Sequence, residues 1–476
     1  VSDEVIPSSN QDKFDHAKNI RDQLNAISPT MCMAKWLQST VTLYNGFTHS
    51  CHHPVAHKID VSRLSKNHKE LHNTPVKFIA RDEMLRGIQT KECNYCWNIE
   101  NLGTDHLSDR TYKSANSWAW QHKDEVLASK LGENINPTYL EVAFESTCNF
   151  KCTYCSPDVS SRIMDEVRTH GPYQLTNYAM HDLNYLAQQD KIPIHWKEYN
   201  PYIEAFWKWW PELYGSLKTF RITGGEPLLS RHTWKVLEHI AENPRKDLTL
   251  AINTNMGVPR KLIERLIELC NKIAPNIKEL QIFTSAESYG KQCEYIRHGM
   301  VWGEFVSNCE LFLEKTHPET RLSFSVTSNS LSVTSFKQFM EWIVSLRKKF
   351  NTDNAYNRIP IMIAYLRWPN FLCMINLPQD VKEKYAAEWI AYTKSESFEN
   401  KGSGEIGGIY LEEIDQVERL CEFMLSKDAI ETDLSDFYMF YKQYDVRRKE
   451  NFLETFPELE GHWNNCKSIA QRFGKE

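Results

Sequence analysis

The sequence predicts an α/β fold: a partial TIM-type barrel of six parallel strands, with a small cysteine-bearing module before it and a helical region after it. Three observations predict this. Six short apolar runs alternate with helical stretches between residues 139 and 366, the pattern of a parallel sheet with right-handed crossovers. Polar and glycine-bearing stretches fall just after the strands, where a β/α barrel carries its catalytic rim. Seven of the thirteen cysteines crowd into the first third of the chain, and the other six are scattered singly. That distribution is not a disulfide framework, and clustered reduced thiols point to metal or redox chemistry.

Length and composition bound the reading. The 476 residues allow about three domains of roughly 150 residues. Hydrophobic residues at 41% and charged residues at 25% are ordinary for a globular chain. The net charge of −6 excludes a strongly basic nucleic-acid-binding coat. No apolar run reaches the roughly 18 residues of a membrane span. The opening VSDEVIPSSN has neither the basic n-region nor the apolar h-region of a secretory signal. The expected location is cytoplasmic, with no membrane and no nucleic-acid partner.

The elements follow in order. Residues 1–30 read as a polar helical lead-in. Residues 38–44 read as a strand, Asn45-Gly46 as a hairpin turn, and residues 47–51 as the returning strand. Residues 78–88 read as a short helix that delivers the chain to Cys93 and Cys96, so 31–100 forms a cysteine-cornered module. Residues 101–137 read as linker and helix. The barrel spans 138–370, with strands at 139–144, 218–222, 248–252, 280–284, 322–327 and 361–366, and helices such as 233–241 and 260–273 between them. An aromatic-rich insertion, 156–216, separates the first two strands. Its stripe Tyr202, Phe206, Trp207, Trp209, Trp210 and Tyr214 reads either as helix core or as substrate contact. Residues 371–476 are helical and charged, and the run 437–456 is expected to close the open side of the barrel.

The sharpest motif is Cys148-Asn149-Phe150-Lys151-Cys152-Thr153-Tyr154-Cys155, a C-x3-C-x2-C loop directly after the first barrel strand. Iron–sulfur clusters normally take four protein ligands. Three thiolates would leave one iron of a [4Fe–4S] cube open to a small molecule, as catalytic metal sites do. Zinc is the competing occupant, but zinc sites usually come as two pairs, and no second pair stands nearby in sequence. After the second strand comes Gly224-Gly225-Glu226-Pro227, whose glycines let main chain approach a ligand closely.

This ordered set resembles the radical S-adenosylmethionine (SAM) enzymes. The resemblance covers roughly residues 138–370. It implies that Cys148, Cys152 and Cys155 hold a [4Fe–4S] cluster whose open iron chelates the methionine part of SAM. One electron then yields methionine and a 5′-deoxyadenosyl radical, which abstracts a substrate hydrogen. It also implies that Tyr154, Gly224, Gly225, Glu226, Pro227, Asn255, Ser285, Glu287, Arg297 and Asn329 bind the cofactor. Glu226 would hold the SAM amino group, and Arg297, with its guanidinium fork, the carboxylate. Ile363 on the sixth strand would pack on adenine or simply in the core. The insertion is longer than in better-known relatives.

Cys32, Cys51, Cys93 and Cys96, with the Gly46 hairpin between them, resemble the auxiliary-cluster module called a twitch domain, the shorter relative of SPASM. That module usually follows the barrel, whereas here it precedes it. Four thiolates would saturate a second [4Fe–4S] cluster, which would transfer electrons or stabilise the fold. Structural zinc on the same four cysteines remains the alternative. His49, His52 and His53 read as surface residues, and the six scattered cysteines as packing.

The expected function is therefore that of a radical SAM enzyme with an auxiliary cluster, acting on a peptide or protein. A sugar- or nucleoside-like small molecule is the alternative substrate. Readings of other classes are a zinc-binding scaffold without catalysis, and a thiol–disulfide oxidoreductase using Cys93 and Cys96. A flavodoxin or ferredoxin is the electron donor the family implies.

Overall fold

The computed structural model describes residues 10–103, 106–353, 356–400 and 405–475. In chain order its strands are β1 (Gln38–Thr42), β2 (Phe47–His49), β3 (His57–Lys58), β4 (Tyr139–Ala143), β5 (Lys151–Cys152), β6 (Tyr173–Gln174), β7 (Ala179–Met180), β8 (Thr219–Thr223), β9 (Thr249–Thr254), β10 (Glu279–Ser285), β11 (Arg297–His298), β12 (Arg321–Ser328) and β13 (Ile361–Tyr365). The six expected barrel strands are β4, β8, β9, β10, β12 and β13, each with ends within two residues of the sequence reading. The chain divides into two compact units. One is Val1–Glu145, Ile194–Thr223 and Asp247–Leu250, and the other Ser146–Pro193, Gly224–Lys246 and Ala251–Glu476.

In the first unit the helix Asn10–Ile27 buries Ala17, Ile20 and Leu24, one stripe at helical spacing. Ile20 and Leu24 pack with Met31, Trp36, Met84 and Trp97, and with Cys32, Cys93 and Cys96. Strand β1 stops at Thr42, short of the expected Tyr44, because the Thr42 carbonyl accepts the Gly46 N–H at 2.8 Å and starts the turn. Gly46 has φ +70°, and a Cβ there would lie 2.0 Å from the Tyr202 ring. The turn therefore needs glycine for both its dihedral and its packing.

The hairpin is not a separate sheet. Strand β1 pairs antiparallel with β2 but parallel with β4, Thr40 opposite Glu141. The order in this unit is β8-β4-β1-β2-β3. The module thus lengthens the barrel's sheet beyond its first strand.

The helix Pro201–Ser216 starts with Pro201 in its first turn, and Asn200 caps the N–H groups of Tyr202 and Ile203. Its aromatic stripe is core. Tyr202, Phe206, Trp209, Trp210 and Tyr214 are buried. Phe206 meets Phe144 edge-on at 5.0 Å, and Trp210 lies 5.3 Å from Phe220.

In the second unit the order is β13-β12-β10-β9, with β10·β12 and β12·β13 parallel. The helices Arg260–Ile273, Trp302–Lys315 and Phe336–Phe350 alternate with these strands. A second, two-stranded ladder joins β11 to β5 and sets Arg297 opposite Cys152. The helix Glu431–Arg448, in the C-terminal region, is bonded to that ladder and to the segment before β11. Arg448 donates to the Lys151 carbonyl at 2.5 Å and pairs with Glu166, and Tyr295 donates to Asp445 at 2.7 Å. Among the described residues, no helix is long and apolar enough to cross a membrane.

Candidate active site

The loop after β4 is tied to the helix Ser161–His170. The Cys148 N–H donates to Ser161 Oγ at 3.1 Å, and Ser160 Oγ donates to the Phe150 carbonyl at 3.1 Å. Phe150 is buried, with Gly257 and Gly299 against its ring. This turns Cys148, Cys152 and Cys155 into one cavity of about 340 Å³. The cavity is also lined by Tyr154, Gly224, Gly225, Glu226, Pro227, Asn255, Ser285 and Arg297.

Two of the expected cofactor contacts, Glu287 and Asn329, are not among its lining residues, nor is Ile363. Asn329 is used within its own turn: its side-chain Oδ1 accepts the Leu331 N–H and its Nδ2 donates to the Thr327 carbonyl. Ser156, Val159 and Ser160 line the cavity although no motif marked them, as does Phe150, which stands inside the cysteine motif but had no role assigned to it. Their nearness in sequence to the cysteines is the signal that would have found them.

Burial pushes the Cys148 thiol up to about 12 and raises Cys152 and Cys155. Metal ligation needs the thiolates, so binding here would release protons.

Glu226 is buried and joins two loops. It accepts from the Leu228 N–H at 3.0 Å, Thr254 Oγ1 at 2.8 Å and the Asn255 N–H at 2.6 Å. Burial outweighs these donors and raises its carboxyl to about 7. An ammonium group placed against it would favour the carboxylate again.

Gly225 lies against the cysteine loop. A Cβ there would meet the Thr147 carbonyl oxygen at 2.4 Å and that of Ser146 at 2.6 Å. Both are main chain and cannot swing aside, and the Glu226 N–H bonds the same Thr147 carbonyl at 2.7 Å. Gly225→Ala is therefore expected to lower stability by about 1–3 kcal/mol and to reduce iron retention at the loop. Denaturant unfolding and iron analysis check this, and unchanged values in both would refute it.

Arg297 carries the densest charge network. Its Nε and Nη2 donate to Glu287 Oε2 at 3.0 and 2.5 Å, and Nη1 lies 3.8 Å from Cys152 Sγ. The Tyr154 hydroxyl donates to the same carboxylate at 3.3 Å, and the guanidinium sits 5.6 Å from the Tyr154 ring centroid. Burial opposes the charge on Arg297, but Glu287, Tyr154 and Cys152 outweigh it and hold the group protonated. Glu287 is thus the partner that fixes Arg297, one step behind the cavity wall.

The four N-terminal cysteines also meet. Cys32, Cys51, Cys93 and Cys96 line one cavity with Lys35, Asp109, Arg110 and Lys113. Burial raises Cys51, takes Cys93 up to about 12 and takes Cys96 up to about 11. Three basic side chains, Lys35, Arg110 and Lys113, are among its lining residues. Lys35 pairs with Glu92, but Lys77 donates to Ser39, Thr48 and His72, and Arg81 to the Lys35 carbonyl and Asn73. Burial and Arg81 together push the Lys77 amine well below its ordinary value. The flanking histidines have other contacts. His49 faces the Cys51 carbonyl, and His53 bonds Asp109 at 2.7 Å while stacking on Tyr95 at 3.7 Å.

The spacing of the thiols bears on the occupant. Among the described residues, only His52, His53 and Asp109 bring three ligand atoms within 4.8 Å of one another, so neither cysteine set does. Sulfurs around one tetrahedral zinc sit about 3.8 Å apart, given Zn–S of about 2.3 Å. The six scattered cysteines are buried, and Cys466 packs against His462.

Residues 144–343, somewhat less than half of the chain, match the family profile described as the radical SAM superfamily. Enzymes of this superfamily use SAM and a [4Fe–4S] cluster. Two curated relatives are similar over short stretches. The GTP 3′,8-cyclase of Syntrophomonas wolfei is 28% identical over 140 residues, 29% of this chain and 33% of the relative. That of Psychromonas ingrahamii is 34% identical over 106 residues, 22% of each. The chain thus spans about a third and about a fifth of these relatives. Among solved structures, Streptococcus suis SuiB bound to the precursor peptide SuiA, and SuiB bound to SAM, are 10% and 11% identical, each with TM-score 0.31. They cover 79% of this chain, and 71% and 70% of their own.

Proposed function

We propose that this protein is a radical SAM enzyme with two iron–sulfur sites that modifies a peptide or protein. One observation carries the reading: three thiols and the Gly224–Pro227 loop line a single cavity with Asn255, Ser285 and Arg297. Cys148, Cys152 and Cys155 would hold the catalytic [4Fe–4S] cluster, leaving one iron for SAM. When bound, the cluster and SAM would supply radical chemistry able to abstract a substrate hydrogen.

The chain's own residues do the rest. Buried Phe150 packs beside the cysteine loop and gives the cavity an apolar lining. Glu226 offers a carboxylate to the SAM amine, and its three donors hold it in place. Arg297 offers a guanidinium edge, held by Glu287, to the SAM carboxylate and to the Cys152 sulfur. Cys32, Cys51, Cys93 and Cys96 would hold the auxiliary cluster, with Lys35 and Lys113 of the same cavity facing its negative charge. A flavodoxin or ferredoxin would supply the electron.

Anaerobic reconstitution with iron and sulfide tests the reading. About eight irons per chain, and 5′-deoxyadenosine formed on reduction with SAM, are expected. A colourless protein holding two zinc ions and no iron would overturn it. Incubation with candidate peptides and with nucleotides, read by mass, separates a peptide substrate from a small molecule.

A further inference from the structure

A second cavity, of about 610 Å³, shares Tyr154, Cys155 and Ser156 with the first, a volume usual for a ligand site. Exposed Tyr178, Tyr185 and Trp368 line it, together with Met180 and Leu186. No Lys or Arg is among its described lining residues. Its acid, Asp182, caps the helix Leu183–Gln188 by accepting the Asn184 N–H at 2.8 Å. In the adjoining cavity the single cation is Arg297, already paired with Glu287. An uncharged, apolar guest is favoured, and a polyphosphate would find no cation among the described lining residues of this second cavity.

One group in this cavity has unmet polar demand. His181 lies at the end of β7 with φ +66°, a left-handed conformation uncommon for a side-chain-bearing residue. Both ring nitrogens are buried and neither has a hydrogen-bond partner. The main chain of Cys155 lies near enough to influence the ring, though not in hydrogen-bond geometry. Strain and an orphaned polar side chain together mark a binding position. A neutral imidazole offers one N–H and one acceptor, which matches the C=O and N–H of a peptide main chain.

We infer that this cavity is the substrate chamber, that it takes an uncharged aromatic or aliphatic side chain of a peptide, and that His181 hydrogen-bonds the peptide main chain beside it. The inference rests on the radical SAM reading of the adjoining cavity. It goes further in setting the substrate's chemistry and in naming His181 as the residue that positions it.

The test uses the reconstituted enzyme with SAM and two probes, acetyl-Gly-Tyr-Gly-amide and GTP, followed by tryptophan fluorescence. Saturable binding of the peptide and none of GTP is expected. His181→Ala should weaken peptide binding about five- to thirty-fold, as the loss of one or two neutral hydrogen bonds does. His181→Asn keeps a donor, an acceptor and tolerance of positive φ, and should restore most of it. Trp368→Ala, at an exposed position, should also weaken it. Iron content and SAM binding should be unchanged in all three variants, a pattern that a merely structural role would not produce. GTP binding without peptide binding would overturn the inference, as would equal peptide affinity in wild type, His181→Ala and Trp368→Ala. Loss of iron or of 5′-deoxyadenosine in the wild type would instead overturn the radical SAM reading beneath it.

Discussion

Replacing Cys148 by alanine is expected to abolish SAM cleavage while leaving about four irons per chain. The three loop cysteines are the thiols of the first cavity, and a loop reduced to two has too few ligands to keep a cube. The N-terminal four lie in a separate cavity lined by none of the same residues. Cys32→Ala should therefore show the converse: about four irons retained, and SAM still cleaved in the absence of substrate. Iron analysis and chromatography of 5′-deoxyadenosine on both variants check the pair. If Cys148→Ala kept its full iron content and still cleaved SAM, the loop would not be the catalytic site. If Cys32→Ala lost no metal, the N-terminal cluster would fall, while the catalytic reading would stand.

Glu287→Ala is expected to destabilise the iron-free protein by about 3–5 kcal/mol, the usual effect of removing one partner of a buried ion pair. Both members are almost fully enclosed, with side-chain exposures of 5% and 0%, so water cannot replace the lost carboxylate. The cause is the stranded guanidinium. Replacing both residues by apolar ones, as in Arg297→Met with Glu287→Leu, should be milder than Glu287→Ala alone. Loading the cluster should also lessen the defect, because the Cys152 thiolate 3.8 Å from Arg297 Nη1 would return part of the missing negative charge. Denaturant midpoints of wild type, single and double variants, with and without iron, measure this. A single variant within about 1 kcal/mol of wild type would show that the pair contributes little.

Much of this protein could be read from local pattern. The six strands are short β-branched or apolar runs ended by polar loops, a signal contained within five to eight residues. The C-x3-C-x2-C loop and Gly224–Pro227 are likewise contiguous, so their chemistry shows without knowing what they touch. The hairpin at Gly46 was legible for the same reason. Its fate was not, because the parallel pairing of β1 with β4 joins residues about a hundred positions apart, and nothing in QSTVT specifies that neighbour.

The candidate site divides in the same way. Asn329 reads as a polar residue after a strand, yet whether such a side chain points to a ligand or closes its own turn depends on a few degrees of backbone. Glu287 could be recognised as polar but not as the buried partner of Arg297, since their pairing follows from the β5·β11 ladder that sets Arg297 opposite Cys152. His181 carries no motif at all, because an orphaned imidazole is defined by what surrounds it.

The sequence by itself determined the strand-and-helix alternation, the two cysteine groups and the class of chemistry they imply, because each rests on residue type and short spacing. Only the tertiary structure decided which residues share a cavity, which charges are already paired and where an uncharged chamber opens. Those are properties of long-range packing and burial, and they arise only when distant segments exclude water together.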